Sequence, residues 1–253
     1  MTLIRPILRS GILNLLGRWT VPSPKVHIIA GHQLTGGIRG KSIAKKNLNI
    51  LAKWCDFCDF DEAVRLILNN INTNKPCVAF CFDDGVVECL DIAEVLQSIG
   101  VNGAFFINPS FILGDSHYRK WFAENAIMRR EARPLELSDI RDLARSGFVI
   151  GAHTLDHLKL NLLKDEDLQR QIILCKSVVQ EMSGNKCRYF AWPYGTYQDI
   201  SLKALKLASN NYDAIFSSEN KQIFPLLHNI INRRHIELDW PIEHIRYFLS
   251  KRR

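Results

Sequence analysis

Apolar positions along the chain change their period several times, and each change marks an element. Ile4, Ile7, Leu8, Ile12, Leu15, Leu16 and Trp19 recur at helical spacing, with Arg5, Arg9, Asn14 and Arg18 between them. This pattern predicts an amphipathic helix within residues 1–21, with Pro6 tolerated in its first turn. Val21-Pro22-Ser23-Pro24 breaks it. Val26–Ala30 then reads as a short strand ending at Gly31-His32, and Ile43–Trp54 and Asp61–Asn70 read as helices. Cys77–Phe82 is an apolar run of strand length, rich enough in aromatic and β-branched residues to be buried on both faces.

From there strand and helix alternate. Helical periodicity over Glu88–Ile99 stops at Gly100, a residue suited to ending a helix. Ala104–Ile107 is a strand, and Ser138-Asp139 opens a helix to Ser146. Phe148–Gly151, Tyr189–Trp192 and Ala214–Phe216 read as strands, and Lys164–Met182, Asp199–Ala208 and Pro241–Leu249 as helices. Such alternation is the signature of parallel β/α units, hence a barrel or a wound sheet. A chain of 253 residues accommodates this as one domain, expected over 22–253 with residues 1–21 as an appended helix.

Composition adds limits. Hydrophobic residues make up 47% and charged residues 23%, ordinary values for a folded soluble domain. The net charge of +7 is dispersed, with small clusters at Arg129-Arg130, Arg233-Arg234 and Lys251-Arg252-Arg253. No nucleic-acid motif accompanies them, so no nucleic-acid partner is expected. The seven cysteines form an odd count without a recognisable secretory signal, which predicts reduced thiols and a cytoplasmic location. Cys55-x-x-Cys58 has no second pair after it and reads as buried structural thiols rather than a metal site. The first helix carries too many arginines to span a bilayer. It suits either the membrane interface, on its inner face, or the domain's own surface, because the same amphipathic pattern serves both.

The residues that carry chemistry fall just after strands. Asp83-Asp84 follows Cys77–Phe82, His153 and His157 follow Phe148–Gly151, and Pro193-Tyr194-Gly195 follows Tyr189–Trp192. In a parallel barrel these C-terminal strand ends form one face, where active sites lie. Two neutral imidazoles four residues apart suit a borderline divalent metal, zinc first, with cobalt, nickel or manganese also compatible. Two histidines plus one aspartate leave coordination positions open, a catalytic rather than a structural arrangement. The second aspartate is then available as a general base.

Phe82–Gly85 (FDDG), His153–His157 (HTLDH) and Phe190–Gly195 (FAWPYG), in this order, resemble the polysaccharide deacetylase family, the NodB-homology domain of carbohydrate esterases. The resemblance covers the chain from about Val26 onward, with Ile28–Leu34 and Gly103–Ile107 falling at the family's early strands. It implies a distorted (β/α) barrel and metal-dependent removal of acyl groups from sugars. By matching motif, Asp83 resembles the general base, and Asp84, His153 and His157 the metal ligands. The Tyr194 backbone N–H resembles the oxyanion donor, with Trp192 and Pro193 lining the sugar pocket.

Two departures stand out. Cys81 replaces a common threonine, and Ala191 replaces the arginine that usually orients the base. Arg233 or Arg234 is a candidate substitute, with Arg234 also a candidate at the sugar pocket. The family's acid histidine has two candidates, His228 in Leu226–His228 and His235 in Arg233–Leu238. His32 follows a strand end and reads first as a structural histidine. The expected substrate is an N-acylated amino sugar, as a glycan or a lipid-linked precursor, with residues 1–20 the candidate membrane contact where that helix does not pack on the domain. An inactive glycan-binding module and a related C–N hydrolase such as a sugar deformylase are the alternatives.

Overall fold

The structure, a computed structural model, describes residues 4–35, 37–219 and 227–250, with side chains from residue 10 onward. Lys251-Arg252-Arg253 and the side chains of the first helical turns lie outside the described residues. Among the described residues nine strands pair in parallel: β1 (Val26–Gly31), β2 (Asp56–Phe57), β3 (Cys77–Phe82), β4 (Ala104–Ile107), β5 (Val149–Ala152), β6 (Tyr189–Ala191), β7 (Ala214–Ser217), β8 (Ile230–Asn232) and β9 (Arg234–His235). Their order is β8-β7-β6-β5-β4-β3-β1-β9, with the two-residue β2 beside the start of β3.

One segment nearly closes the barrel. β8 pairs with β7 and β9 with β1, and only Arg233 separates β8 from β9. The Arg233 N–H donates to Ser217 O at 2.8 Å and the Ile236 N–H to Ala30 O at 3.0 Å. The segment therefore passes from one side of the opening to the other.

Two-residue periodicity sorts the side chains into two layers. Val78, Phe80 and Phe82 of β3 join the layer between barrel and helices, while Ala79 and Cys81 point inward. The interior holds small residues packed around Phe60, Phe106, Tyr189 and Phe216. Phe60 opens the helix Phe60–Leu68, which plugs the N-terminal end of the barrel, its ring 5.4–6.1 Å from those three rings. Burying that ring is worth about 1.5–3 kcal/mol. Tyr189 Oη donates to Asp61 Oδ1 at 2.8 Å, tying the plug to β6.

Boundaries differ from the sequence pattern where helices are short or irregular. The helix expected at Ile43–Trp54 runs Ile38–Leu51. The span Lys164–Met182 is helical but contains a π turn over Gln169–Leu174, between Asp165–Leu168 and Cys175–Ser183. Pro109–Leu113, Ser116–Trp121 and Phe122–Ala126 were not expected, since five or six residues show too little periodicity to register.

The helix Ile4–Arg18 lies against the closing helix Ile242–Ser250. Gly17 allows the approach, because a Cβ there would run into the Glu243 backbone. Leu13 is buried in the contact, and Arg246 Nη2 donates to Thr20 O at 2.7 Å. Ile12, Leu15, Leu16 and Trp19 nevertheless stay exposed, Trp19 by 84%. The helix thus packs on the domain and keeps a second apolar face outward. No helix among the described residues is long and apolar enough to cross a membrane.

Candidate active site

Asp83 continues the inward face of β3, two residues beyond Cys81. Arg233 occupies the equivalent inward position between β8 and β9. Its Nη1 lies 2.7 Å from Asp83 Oδ1 and its Nη2 2.9 Å from Oδ2, a two-pronged ion pair. Arg233 is 1% exposed, its guanidinium 5.3 Å from the Phe106 ring centre and 5.9 Å from that of Phe216. Burial pushes the Asp83 carboxyl up, but the Arg233 charge, with His153 and His32 behind it, outweighs burial and holds it well below the usual range. Burial raises the Cys81 thiol to about 12, so it remains a thiol beside the pair. Its S–H donates to Ile29 O at 3.3 Å.

Asp84 turns the other way. It has φ +77°, followed by Gly85 at +65°, so the chain leaves the strand in a left-handed turn. A Cβ on Gly85 would lie 3.0 Å from Ile107, and glycine removes both that crowding and the φ penalty. Thr154, His157 and Tyr194 also have positive φ, at 65°, 54° and 63°. Backbone strain of this kind is costly and collects at functional sites. The His153–His157 stretch is accordingly an irregular loop, although a spacing of four also suits a helical turn.

The loop brings both histidines to Asp84. His153 Nε2 and His157 Nε2 lie 3.7 and 3.6 Å from Asp84 Oδ1. His153 Nδ1 is 2.7 Å from Ala191 O. A carbonyl only accepts, so Nδ1 carries the proton and Nε2 offers its lone pair toward Asp84. Burial lowers His157 to about 4, keeping it neutral near pH 7. Asn108 Nδ2 donates to Thr154 O at 3.0 Å, and Gln171 Oε1 accepts the Asp156 N–H at 3.0 Å, which fixes the loop. Asp84 Oδ1 is buried and accepts no hydrogen bond. A buried carboxylate oxygen without a donor, facing two imidazole nitrogens, fits a divalent cation.

A second cluster faces the first. Glu237 Oε1 lies 3.1 Å from His32 Nδ1 and 3.1 Å from His235 Nε2, and Oε2 accepts the backbone N–H groups of His32 and Gln33 at 2.9 and 3.2 Å. Burial lowers the His32 pKa, but the Glu237 bond and the charges of Asp84 and Asp83 overcome it and raise it to about 9. Burial raises Glu237, but His235 and His32 bring it down to about 2. Gly31 makes room, since a Cβ there would sit 2.7 Å from Glu237 Oε2. His32, His235 and Glu237 line a cavity of about 320 Å³ together with Asp84, His157, Tyr194 and Arg129.

The remaining expected residues fall unevenly. Tyr194 stands at the cavity, half exposed, its ring 5.0 Å from that of His157. Pro193 is buried beneath it. Trp192, placed at the sugar pocket by the motif, is fully buried in the outer layer, its Nε1–H donating to Thr196 O at 3.0 Å. Arg234 points out of the barrel toward Phe248 O, because adjacent strand residues face opposite ways. His228 is exposed in the turn before β8, at the opposite end of the barrel. His235 is the histidine of that candidate pair that reaches the cavity. The pairing of His32 with Glu237 was not anticipated. His32 carries the strand-end signal that marked the other groups, whereas Glu237 has none beyond the two-residue period it shares with Arg233 and His235.

Parallel strands that deliver a clamped aspartate and a carboxylate–bis-histidine group to one mouth define a (β/α) barrel with its chemistry at the C-terminal strand ends. Within that class the polysaccharide deacetylase profile matches residues 70–212, and the chain belongs to this family. It is 24% identical over 186 residues to the protein YxkH of Bacillus subtilis, covering 71% of this chain and 60% of that one. It is 27% identical over 132 residues to the peptidoglycan-N-acetylglucosamine deacetylase of Bacillus cereus, covering 51% and 40%. The chain thus spans less than two thirds of the length of these curated relatives. In fold it matches IcaB from Ammonifex degensii at a TM-score of 0.70 and 18% identity, covering 92% of this chain and 100% of that one. The Streptococcus pyogenes deacetylase PplD follows at 0.66 and 16%, covering 91% and 100%.

Proposed function

We propose that the chain is a metal-dependent deacetylase that removes the N-acyl group of an amino sugar in a glycan or a lipid-linked glycan precursor. The observation that carries this reading is the buried, donor-free Asp84 Oδ1 facing His153 and His157, within the cavity that His32 also lines. Asp84, His153 and His157 would hold one divalent ion, zinc by its preference for nitrogen and oxygen donors. Such an ion polarises the acyl carbonyl and acidifies water.

The protein's own groups supply the proton traffic. Asp83, kept ionised and fixed by Arg233, accepts the proton of the attacking water at a carboxylate oxygen. The Tyr194 N–H, at the left-handed turn after β6, is assigned to the developing oxyanion. As the C–N bond breaks, the leaving nitrogen needs a proton. His32 is the assigned donor: its pKa of about 9 keeps it protonated at pH 7, and Glu237 holds Nδ1, leaving Nε2–H for substrate. His235 shares the same carboxylate and helps orient it. Ala191, in place of the arginine that usually orients the base, would favour the inactive glycan-binding alternative; Arg233 meets Asp83 from the opposite side of the barrel, which supports the active reading.

The exposed apolar face of the first helix, beside Arg18 and a net charge of +7, supports contact with an anionic membrane surface on the cytoplasmic side. Metal-loaded protein is to be incubated with lipid-linked, nucleotide-linked and polymeric N-acetyl sugars and acetate release measured. Release from at least one is expected; none from any, with metal bound, overturns the reading.

A further inference from the structure

Away from the mouth, at the plugged end of the barrel, two sulfurs lie unusually close. Cys58 Sγ and Cys77 Sγ are 2.7 Å apart. That is only about 0.7 Å longer than a disulfide bond. Cys77 opens β3, and Cys58 follows β2, where its N–H donates to Val78 O at 3.1 Å. Asp56 and Phe57 pair with Cys77 and Val78, so β2 and β3 are held side by side here and Cys58 reaches Cys77 across the pairing from two residues beyond its register partner. Cys58 packs against the barrel interior and is partly exposed, while Cys77 is buried. Cys55 is buried too, but no third ligand gathers here: among the described residues, the groups able to hold a metal are the two histidine clusters at the mouth.

We propose that Cys58 and Cys77 are a disulfide-forming pair that staples the plug helix Phe60–Leu68 to β3. The hydrogen bond between them raises the Cys58 pKa and lowers that of Cys77, which favours one thiolate within the pair. The oxidant is a small-molecule disulfide of the glutathione type. One protein thiolate attacks it, forming a mixed disulfide and releasing the first small thiol. The other cysteine, as thiolate, then attacks the protein sulfur of that mixed disulfide and expels the second. Two protein thiols lose two protons and two electrons in all, and the oxidant leaves as two thiols. The loop so closed contains the plug, so the bond restrains the unfolded chain in that region.

The test is thiol mapping of the full chain after incubation with oxidised glutathione or with dithiothreitol, followed by denaturing alkylation and peptide analysis. The reduced sample should alkylate at all seven cysteines. The oxidised sample should alkylate at five, yield a linked Cys58–Cys77 peptide and melt at a higher temperature. Seven alkylated cysteines after oxidation, a persistent glutathione adduct on Cys58, or a Cys55–Cys58 bond would each overturn the proposal. Cys58→Ser should abolish the linked peptide and leave Cys77 alkylatable. If that variant fails to fold, the wild-type peptide map decides by itself.

Discussion

Arg233 grips both carboxylate oxygens of Asp83 from the strand that closes the barrel, 150 residues away in sequence. Members of the family commonly bring this arginine from the position that is Ala191 here. Ala191 and Arg233 both face the interior, so a guanidinium can reach the same carboxylate from either side. Arg233→Lys keeps the charge and loses the fork, and should lower deacetylation about 10- to 100-fold, as for other partners that orient a reactive group. Arg233→Met leaves a carboxylate buried without its counter-charge and should cost about 3–5 kcal/mol in a denaturant titration. Adding Ala191→Arg to Arg233→Met should restore part of both losses; no restoration would mean that the side of approach matters.

Deacetylation should depend on pH through His32. Its pKa in the fold, about 9, lies above the ordinary value of 6.5, so the protonated form is the stabilised one. The stability this contributes is fully present below pH 6.5 and is lost as pH rises through about 9. Glu237 has the opposite sense: its folded value of about 2 lies below 4.5, so its contribution is present above pH 4.5 and lost as pH falls through about 2. Glu237→Gln should move the alkaline limb of the rate profile to lower pH. An unmoved limb in that variant would exclude His32 as the proton donor.

The strand-end chemistry was readable because parallel β/α units put every strand's C-terminus on one face, and Asp83-Asp84, His153 and His157 need only that rule. The choice between Arg233 and Arg234 also lay in the chain. Ile231, Arg233, His235 and Glu237 alternate inward while Ile230, Arg234, Ile236 and Leu238 face the helices, but this period is visible only once the segment is known to be a strand. Trp192 misled because its motif says where the chain passes and not which way the ring turns. Glu237 was out of reach, since its meeting with His32 depends on barrel closure over more than 200 residues.

Metal removal separates the two histidine clusters. Asp84→Asn should abolish metal binding measured by elemental analysis, and with it activity. His32→Gln should retain one metal per chain while activity falls about 10²- to 10⁴-fold, the range for loss of an acid–base group. If His32→Gln also lost the metal, the two clusters would form one site and the division of roles would fail.

Gly31 offers a test of positioning that leaves every reactive group in place. A Cβ at this position would lie 2.7 Å from Glu237 Oε2 and 3.0 Å from the Phe82 ring. The ring is buried and cannot withdraw easily, so Glu237 must move. Gly31→Ala should therefore lower kcat and shift the alkaline limb as Glu237→Gln does, with metal content unchanged.

The first helix gives the last expectation. Its inner face is occupied by the closing helix, through Gly17 and Leu13, so the exposed Ile12, Leu15, Leu16 and Trp19 add nothing to that packing. An apolar face of this kind beside basic residues gains free energy at an anionic bilayer surface from buried area and from charge together. Leu15→Ser with Trp19→Ser should leave the melting temperature nearly unchanged, because both side chains are solvent-exposed. The same pair of changes should markedly reduce co-sedimentation with vesicles containing phosphatidylglycerol, and raised salt should weaken binding of the unaltered chain. Turnover of a soluble N-acetyl sugar should be unaffected, whereas turnover of a vesicle-borne one should fall. Unchanged vesicle binding by the doubly substituted chain would assign this face to something other than the membrane.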